Sequence, residues 1–215
     1  MYLFDKLKYI ENSNEQDDYC FKVGSKLELS IIEKMKKYNK SLLDLIDKNG
    51  NYNAYLNTRL TFWVKSFYQA KFSSEFKKYS FNDPYLAKIF VAITNSSLYY
   101  FIWECISDGW HITNKELQGF KFDYEYLSFG MAMDICRLVD ELEYDLENNK
   151  VYIGSKQTEY EYRHKKSKLL IDKIDEILAV YYNFTPEELC YIKNYQLKYR
   201  MNDELENYLS IVQSI

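Results

Sequence analysis

Five basic side chains, Arg59, Lys65, Lys71, Lys77 and Lys78, fall in a 20-residue stretch whose only acid is Glu75. Phe62, Trp63, Phe67, Tyr68, Phe72 and Phe76 are interleaved with them. Cations among aromatic rings can hold phosphates and stack on bases. The same pattern also describes a strand or helix with a solvated charged face. A second group, Trp110, His111, Asn114 and Lys115, follows the Asp108-Gly109 pair. Its plainer reading is a packed tryptophan, a structural histidine and the start of a short helix.

Other chemistries lack their residues. The six glycines, at 24, 50, 109, 119, 130 and 154, never cluster, so there is no Gly-rich turn for S-adenosylmethionine or a nucleotide phosphate. Neither His-Glu-x-x-His nor Gly-x-Ser-x-Gly occurs. Cys20, Cys105, Cys136 and Cys190 form no Cys-x-x-Cys pair, and His111 and His164 lie far apart, a poor inventory for a metal. The carboxylate pairs Asp17-Asp18, Asp140-Glu141 and Glu187-Glu188 suit a loop or helix surfaces. Asn82-Asp83-Pro84-Tyr85 differs at one position from the Asn-Pro-Pro-Tyr turn that holds a target base in amino-methyltransferases. With Asp in second place it reads as an N-cap followed by Pro at the first helical position.

The elements that must position these residues follow from composition and periodicity. With 215 residues, 47% of them apolar, 18% aromatic and 23 of them tyrosine, against 6 Gly and 2 Pro, the chain can bury a core and favours helices. No apolar run approaches the roughly 18 residues of a membrane-spanning helix. Met1 to Lys6 has no signal-peptide pattern, so a cytoplasmic location with reduced, mostly buried thiols is expected. The net charge of -4 reflects an acidic excess after residue 125.

Residues 11–18 read as a surface loop. Helices are predicted from Lys26 to Met35 and over Leu42, Leu43, Leu45 and Ile46, the second stopping left-handed at Asn49-Gly50. Residues 51–82 suggest two or three strands. Helices are then expected from Pro84, over 96–106, from Thr113-Asn114-Lys115-Glu116 to Gly119, and from Thr185-Pro186-Glu187-Glu188. Two amphipathic helices carry Met131, Ile135, Leu138, Val139, Leu142 and Leu146, and Leu170, Ile171, Ile174, Ile177, Leu178 and Tyr181. Lys150 to Gly154 is a short strand or an exposed connection between them. The fold class expected is α+β and helix-rich, with a small mixed or antiparallel sheet in the first part and a helical C-terminal part. Its divisions are a 1–25 segment, a 26–125 α+β domain and a 126–215 helical part.

Three blocks stand in a suggestive order: Phe72 to Phe81, containing Ser73-Ser74-Glu75-Phe76-Lys77-Lys78; Thr94-Asn95-Ser96-Ser97-Leu98-Tyr99-Tyr100-Phe101-Ile102-Trp103, continuing through 107–113 to Gly119-Phe120-Lys121-Phe122; and Ile174 to Met201. Together, over about residues 50–202, they resemble the C-terminal target-recognising region of adenine-specific DNA methyltransferases of restriction-modification systems, notably fused type IIG enzymes. The cofactor and Asn-Pro-Pro-Tyr motifs of that family are absent, so methyl transfer is not carried over. The resemblance implies a non-catalytic specificity module without a cofactor. Its partners would be double-stranded DNA and an adenine-specific methyltransferase domain or subunit, with a second copy of the chain as a further packing partner.

Together with local charge, the resemblance makes Arg59, Lys65, Lys71, Lys77 and Lys78 candidates for phosphate contact. Asn57, Thr58, Ser73 and Ser74 become candidate base readers, with Trp110, His111, Asn114 and Lys115 as a further contact loop. The acidic balance keeps open an alternative, a protein-binding regulator or DNA-mimicking inhibitor of a methyltransferase. A nuclease with dispersed acids is a third reading.

Overall fold

The structure is a computed structural model, and it describes residues 20–71, 73–154 and 159–214. The loop expected at 11–18, most of the 1–25 segment and Phe72 lie outside the described residues. The fold is α+β, with a small antiparallel sheet in the first part and helices after it. Helix α1 (Lys26–Met35) opens with a capping box between Ser25 and Glu28. Strands β1 (Tyr52–Asn57), β2 (Ser66–Phe67) and β3 (Phe76–Phe81) form one sheet in the order β2-β1-β3, with Tyr55 opposite both Phe67 and Lys78. Next come α2 (Pro84–Asn95), α3 (Ser97–Ile106), α4 (Asn114–Gly119) and the long α5 (Phe129–Asn149). A hairpin of β4 (Val151–Tyr152) and β5 (Tyr160–Glu161) leads to α6 (Lys168–Tyr182), α7 (Pro186–Asn194), α8 (Leu197–Met201) and α9 (Leu205–Ser214).

Local chemistry sets most helix starts. The Asp83 carboxylate accepts the Tyr85 N–H at 2.7 Å, and Pro84 takes the first helical position. Thr113 with Glu116 and Thr185 with Glu188 close capping boxes. The region expected to be a second helix after α1 is instead a single 3-10 turn, Leu42–Leu45. Tertiary pairing prevails there: Leu42 N–H bonds the Phe120 carbonyl at 3.1 Å, and Asp47 N–H bonds that of Ser80 at 2.8 Å. Nor does Gly50 adopt a left-handed conformation; the positive-φ glycines among the described residues are Gly109 and Gly154. Gly50 is small for a different reason, because a Cβ there would overlap the Phe81 backbone.

The core runs from Phe21 to Ile192 and takes in side chains from the sheet and from α1 to α7. Helix α2 lies against β1 on one side and α5 on the other. Thr94 to Leu98 forms the junction between α2 and α3, which are bent by 67°. Ser96 is extended there; its hydroxyl donates to the Ile93 carbonyl at 2.6 Å and accepts the Tyr99 N–H at 3.0 Å, ending one helix and starting the next. Asn95 clasps β2, donating to the Ser66 carbonyl at 2.8 Å and accepting its N–H at 3.3 Å. No single helix among the described residues is long and apolar enough to cross a membrane.

A knot of buried charge ties the helical part together. Asp175 of α6 accepts the N–H groups of Ser97 and Leu98 at 3.2 and 3.1 Å, so a carboxylate caps α3 from across the core. On the same helix Lys168 pairs with Asp172, which also accepts the Tyr208 hydroxyl of α9 at 2.6 Å. Arg200 of α8 bonds the Phe62 carbonyl through Nε and lies between the Trp63 and Tyr100 rings, 4.1 and 4.6 Å from their centroids. Burial raises the Asp175 carboxyl to about 6 and lowers Arg200 to about 10.

Beside the knot, His164 is fully buried, with Nε2 at 3.2 Å from Asn95 Oδ1 and Nδ1 at 3.3 Å from the Tyr162 carbonyl. Burial, and then the charge of Lys65, depress it to about 3. A histidine depressed in the folded state is protonated first in the unfolded chain, so its contribution is intact above the ordinary value of 6.5 and is lost as pH falls toward 3. Asp175, raised in the folded state, acts in the opposite sense below about 6. The difference between wild type and His164→Gln isolates the histidine. In urea unfolding at a series of pH values, wild type should lose stability relative to the variant below pH 6.5, at up to ~1.4 kcal/mol per pH unit. Gly50→Ala should lower the unfolding free energy by about 1–3 kcal/mol at any pH.

Candidate nucleic-acid interface

At one end of the sheet β1 runs out of regular pairing, and the chain from Asn57 to Leu60 is held by two loops. Thr58 N–H bonds the Glu75 carbonyl at 3.1 Å. Leu60 N–H bonds the Trp110 carbonyl at 3.0 Å, and Ile112 N–H bonds that of Thr58 at 2.9 Å, placing Arg59 opposite His111 in an antiparallel bridge. Candidate residues half a hundred positions apart in sequence thus become neighbours. The loop that brings them is shaped by Asp108 and Gly109. Asp108 Oδ1 accepts the N–H groups of His111 and Trp110, its Oδ2 lies 3.2 Å from His111 Nδ1, and Gly109 takes φ 82°. Those backbone bonds, His111 first, hold the Asp108 carboxyl down to about 2. Trp110 is 55% exposed. Arg59 and His111 are exposed beside it.

Glu75 stands in the middle of this cluster. It lies 3.6 Å from Arg59 and accepts from Asn57 Nδ2 at 3.4 Å. Asn57 is buried, and its Oδ1 accepts the Arg59 N–H at 2.8 Å, so its polar atoms shape the turn rather than face outward. Thr58 is half-buried. Ser73 is half-buried, with Oγ accepting the Glu75 N–H at 3.3 Å, and Ser74 is exposed. On β3, Lys77 and Lys78 are both exposed; the Lys77 ammonium lies 4.9 Å from the Tyr79 ring, and Lys78 stands opposite Tyr55. Lys65 is half-buried, next in the chain to β2, and its carbonyl accepts the Asn57 N–H at 2.8 Å. Asn114 and Lys115 are exposed in the first turn of α4.

Lys71 stands apart from this cluster. Its ammonium pairs with Glu147 of α5 and lies 4.4 and 5.0 Å from the Phe67 and Tyr162 rings. With Lys150, which shares Glu147, and with Ser73, Phe76 and Tyr160, it lines a cavity of about 320 Å³ at the foot of the β4–β5 hairpin. A further basic run, Arg163-His164-Lys165-Lys166-Ser167-Lys168, leads into the first residue of α6 and was not among the sequence candidates. Its signal was simply four cations in six residues.

Elsewhere, Cys105 and Cys136 are buried and Cys20 and Cys190 exposed. Among the described residues no three His, Cys, Asp or Glu side chains converge as metal ligands. Comparison of the chain with protein-family models, curated proteins and solved structures finds no match.

The two kinds of candidate separate by their cost to folding. Asn57→Ala should destabilise the protein by about 1–2 kcal/mol, because the turn loses the buried amide that accepts the Arg59 N–H and donates to Glu75. Trp110→Ala should leave stability within about 0.5 kcal/mol of wild type in the same urea titration.

Proposed function

We propose that this chain is a non-catalytic DNA target-recognition module of a restriction-modification adenine methyltransferase system. It binds duplex DNA and positions a methyltransferase domain or subunit that carries out the chemistry, in the cytoplasm. The observation that supports this reading is the convergence on Arg59: Glu75, from the first block of resemblance, pairs with it, and His111, from the second, bridges it. An exposed tryptophan, an exposed histidine and an arginine then share one end of a sheet whose outer strand presents Lys77 and Lys78.

In this reading Lys77, Lys78 and Arg59 meet phosphates and set the register, while Trp110 and His111 approach the bases or sugars. Glu75, already paired to Arg59, tempers the charge of the face, so that affinity rests on shape and partner as well as on cations. Methyl transfer to an adenine flipped out of the duplex belongs to the catalytic partner.

Fluorescence anisotropy of a mixed-sequence duplex, titrated at low and near-physiological salt, tests the reading. Binding should weaken steeply with salt. K77A/K78A should weaken it alike on all sequences and flatten the log-log salt slope by about 1.8, two phosphates at about 0.9 each. Absence of binding even at low salt transfers the reading to a protein-binding regulator, for which the exposed Phe129, Met133 and Val180 are the surface to mutate.

A further inference from the structure

Two lysines of the basic run before α6 are covered by acids from the far end of the chain, while Arg163 lies 3.9 Å from Glu161 of β5. Arg163, Lys165 and Lys166 have side chains 36%, 24% and 37% exposed. Lys165 pairs with Asp203, and Lys166 lies 3.9 Å from Glu204; both acids sit on the 3-10 turn Asn202–Glu204 between α8 and α9. The hydrogen bond from Lys165 holds the Asp203 carboxyl below its ordinary value. Behind these pairs a cavity of about 180 Å³ is lined by Lys165, Lys166, Lys168, Glu204, Asn207 and Tyr208. Tyr208 and Lys168 are committed there to Asp172, so the groups that can turn to phosphate oxygens are the Lys165 and Lys166 ammoniums and the Asn207 amide, which now donates to Glu204 at 3.4 Å.

The acidic turn belongs to a segment that packs on its own small cluster, Leu197, Met201 and Tyr208 with Trp63, Leu169 and Leu205, separate from the main core. With Arg200 and Tyr208 on either side held in the buried knot, the two carboxylates leave the lysines by side-chain rotation, for which Asp203, 65% exposed, has room. The basic run also adjoins the sheet. His164, at its centre, packs on Phe67 and Trp63, and the charge of Lys65 reaches it.

We propose that Arg163, Lys165 and Lys166 form a second surface for the phosphates of duplex DNA, and that Asp203 and Glu204 occupy it in the free chain as an internal competitor. This deepens the reading of the chain as a DNA-binding module and rests on it. The Asp203 carboxylate paired with Lys165, and that of Glu204 3.9 Å from Lys166, stand where phosphate oxygens would stand, so DNA must displace them, and only a duplex that engages the rest of the face displaces them well. The acids thereby suppress sequence-independent binding more than specific binding.

The test uses the full-length chain and the same mixed-sequence duplex. D203N/E204Q should bind about ten-fold tighter at low salt, with a salt slope steeper by about 1.8. Adding K165A/K166A to that variant should return affinity and slope to the wild-type range. The control is E125Q/D140N, which removes two acids paired with Lys40 and Lys88 on other surfaces. An equal gain in the control, or none in D203N/E204Q, overturns the proposal. Asp203 is 65% exposed, so D203N alone carries the test if the double variant melts lower by circular dichroism, with about half the slope change expected. The two readings fail separately. Binding that K77A/K78A weakens and D203N/E204Q leaves unmoved keeps the DNA module and removes this surface, whereas no binding by any variant at low salt removes both.

Discussion

Asp175 is the constraint on which the rest of the structure depends. A carboxylate buried without partners would cost several kcal/mol, and here it is compensated by two backbone N–H groups of α3 and by the charges of Lys168 and Arg200. Those cations are themselves buried and need Asp172, Tyr208 and the aromatic faces of Trp63 and Tyr100. The result is a set in which no member can leave without stranding a charge, an imbalance worth about 3–5 kcal/mol in buried pairs. Because the set joins α3, α6, α8 and α9 to the loop carrying Phe62 and Trp63, it also holds the strand end from which Arg59 projects. The candidate interface inherits its rigidity from charges far beneath it.

That dependence explains which parts of the fold were legible in the sequence. Features made by residues within one turn of each other were readable: the Asp83-Pro84 start, the capping boxes at Thr113 and Thr185, the amphipathic faces of α5 and α6, and the buried helix after Ser96. The expected second helix after α1 was not, because backbone bonds to Phe120 and Ser80 outweigh the helical preference of Leu42 to Ile46. At Gly50 the sequence marked a special position for the wrong reason; steric approach of Phe81 replaces the left-handed turn. The roles of Asn95, quoted only as part of a block of resemblance, and of His164 were not legible, since they exist only once β2, α2 and the segment before α6 meet.

The candidate interface was legible in part. Local charge picked out Arg59, Lys77 and Lys78, which are exposed, but it could not distinguish them from Lys71, whose ammonium turns inward to Glu147. Polarity suggested Asn57 as a reader, whereas it is buried, with its amide nitrogen on Glu75 and its amide oxygen on the Arg59 N–H. The meeting of residues 58–60 with 110–112 depends on a non-local pairing that no spacing rule contains. The basic run at 163–168, by contrast, was visible in plain composition, and only the structure supplies the acids that face it.

The abundance of tyrosine has a structural use. Tyr181 exchanges hydrogen bonds with the Asp123 backbone, Tyr182 donates to the Lys121 carbonyl and Tyr38 to that of Tyr181, so phenols close loops that neither helix nor sheet satisfies. Burial lifts the ionisation of Tyr181 and Tyr182 well above the ordinary value of 10.0. The unfolded chain therefore ionises first as pH climbs past 10, and each phenolate formed withdraws a clasp from a loop. Alkali therefore works against this architecture through its own clasps, and the ultraviolet band of tyrosinate would record their opening.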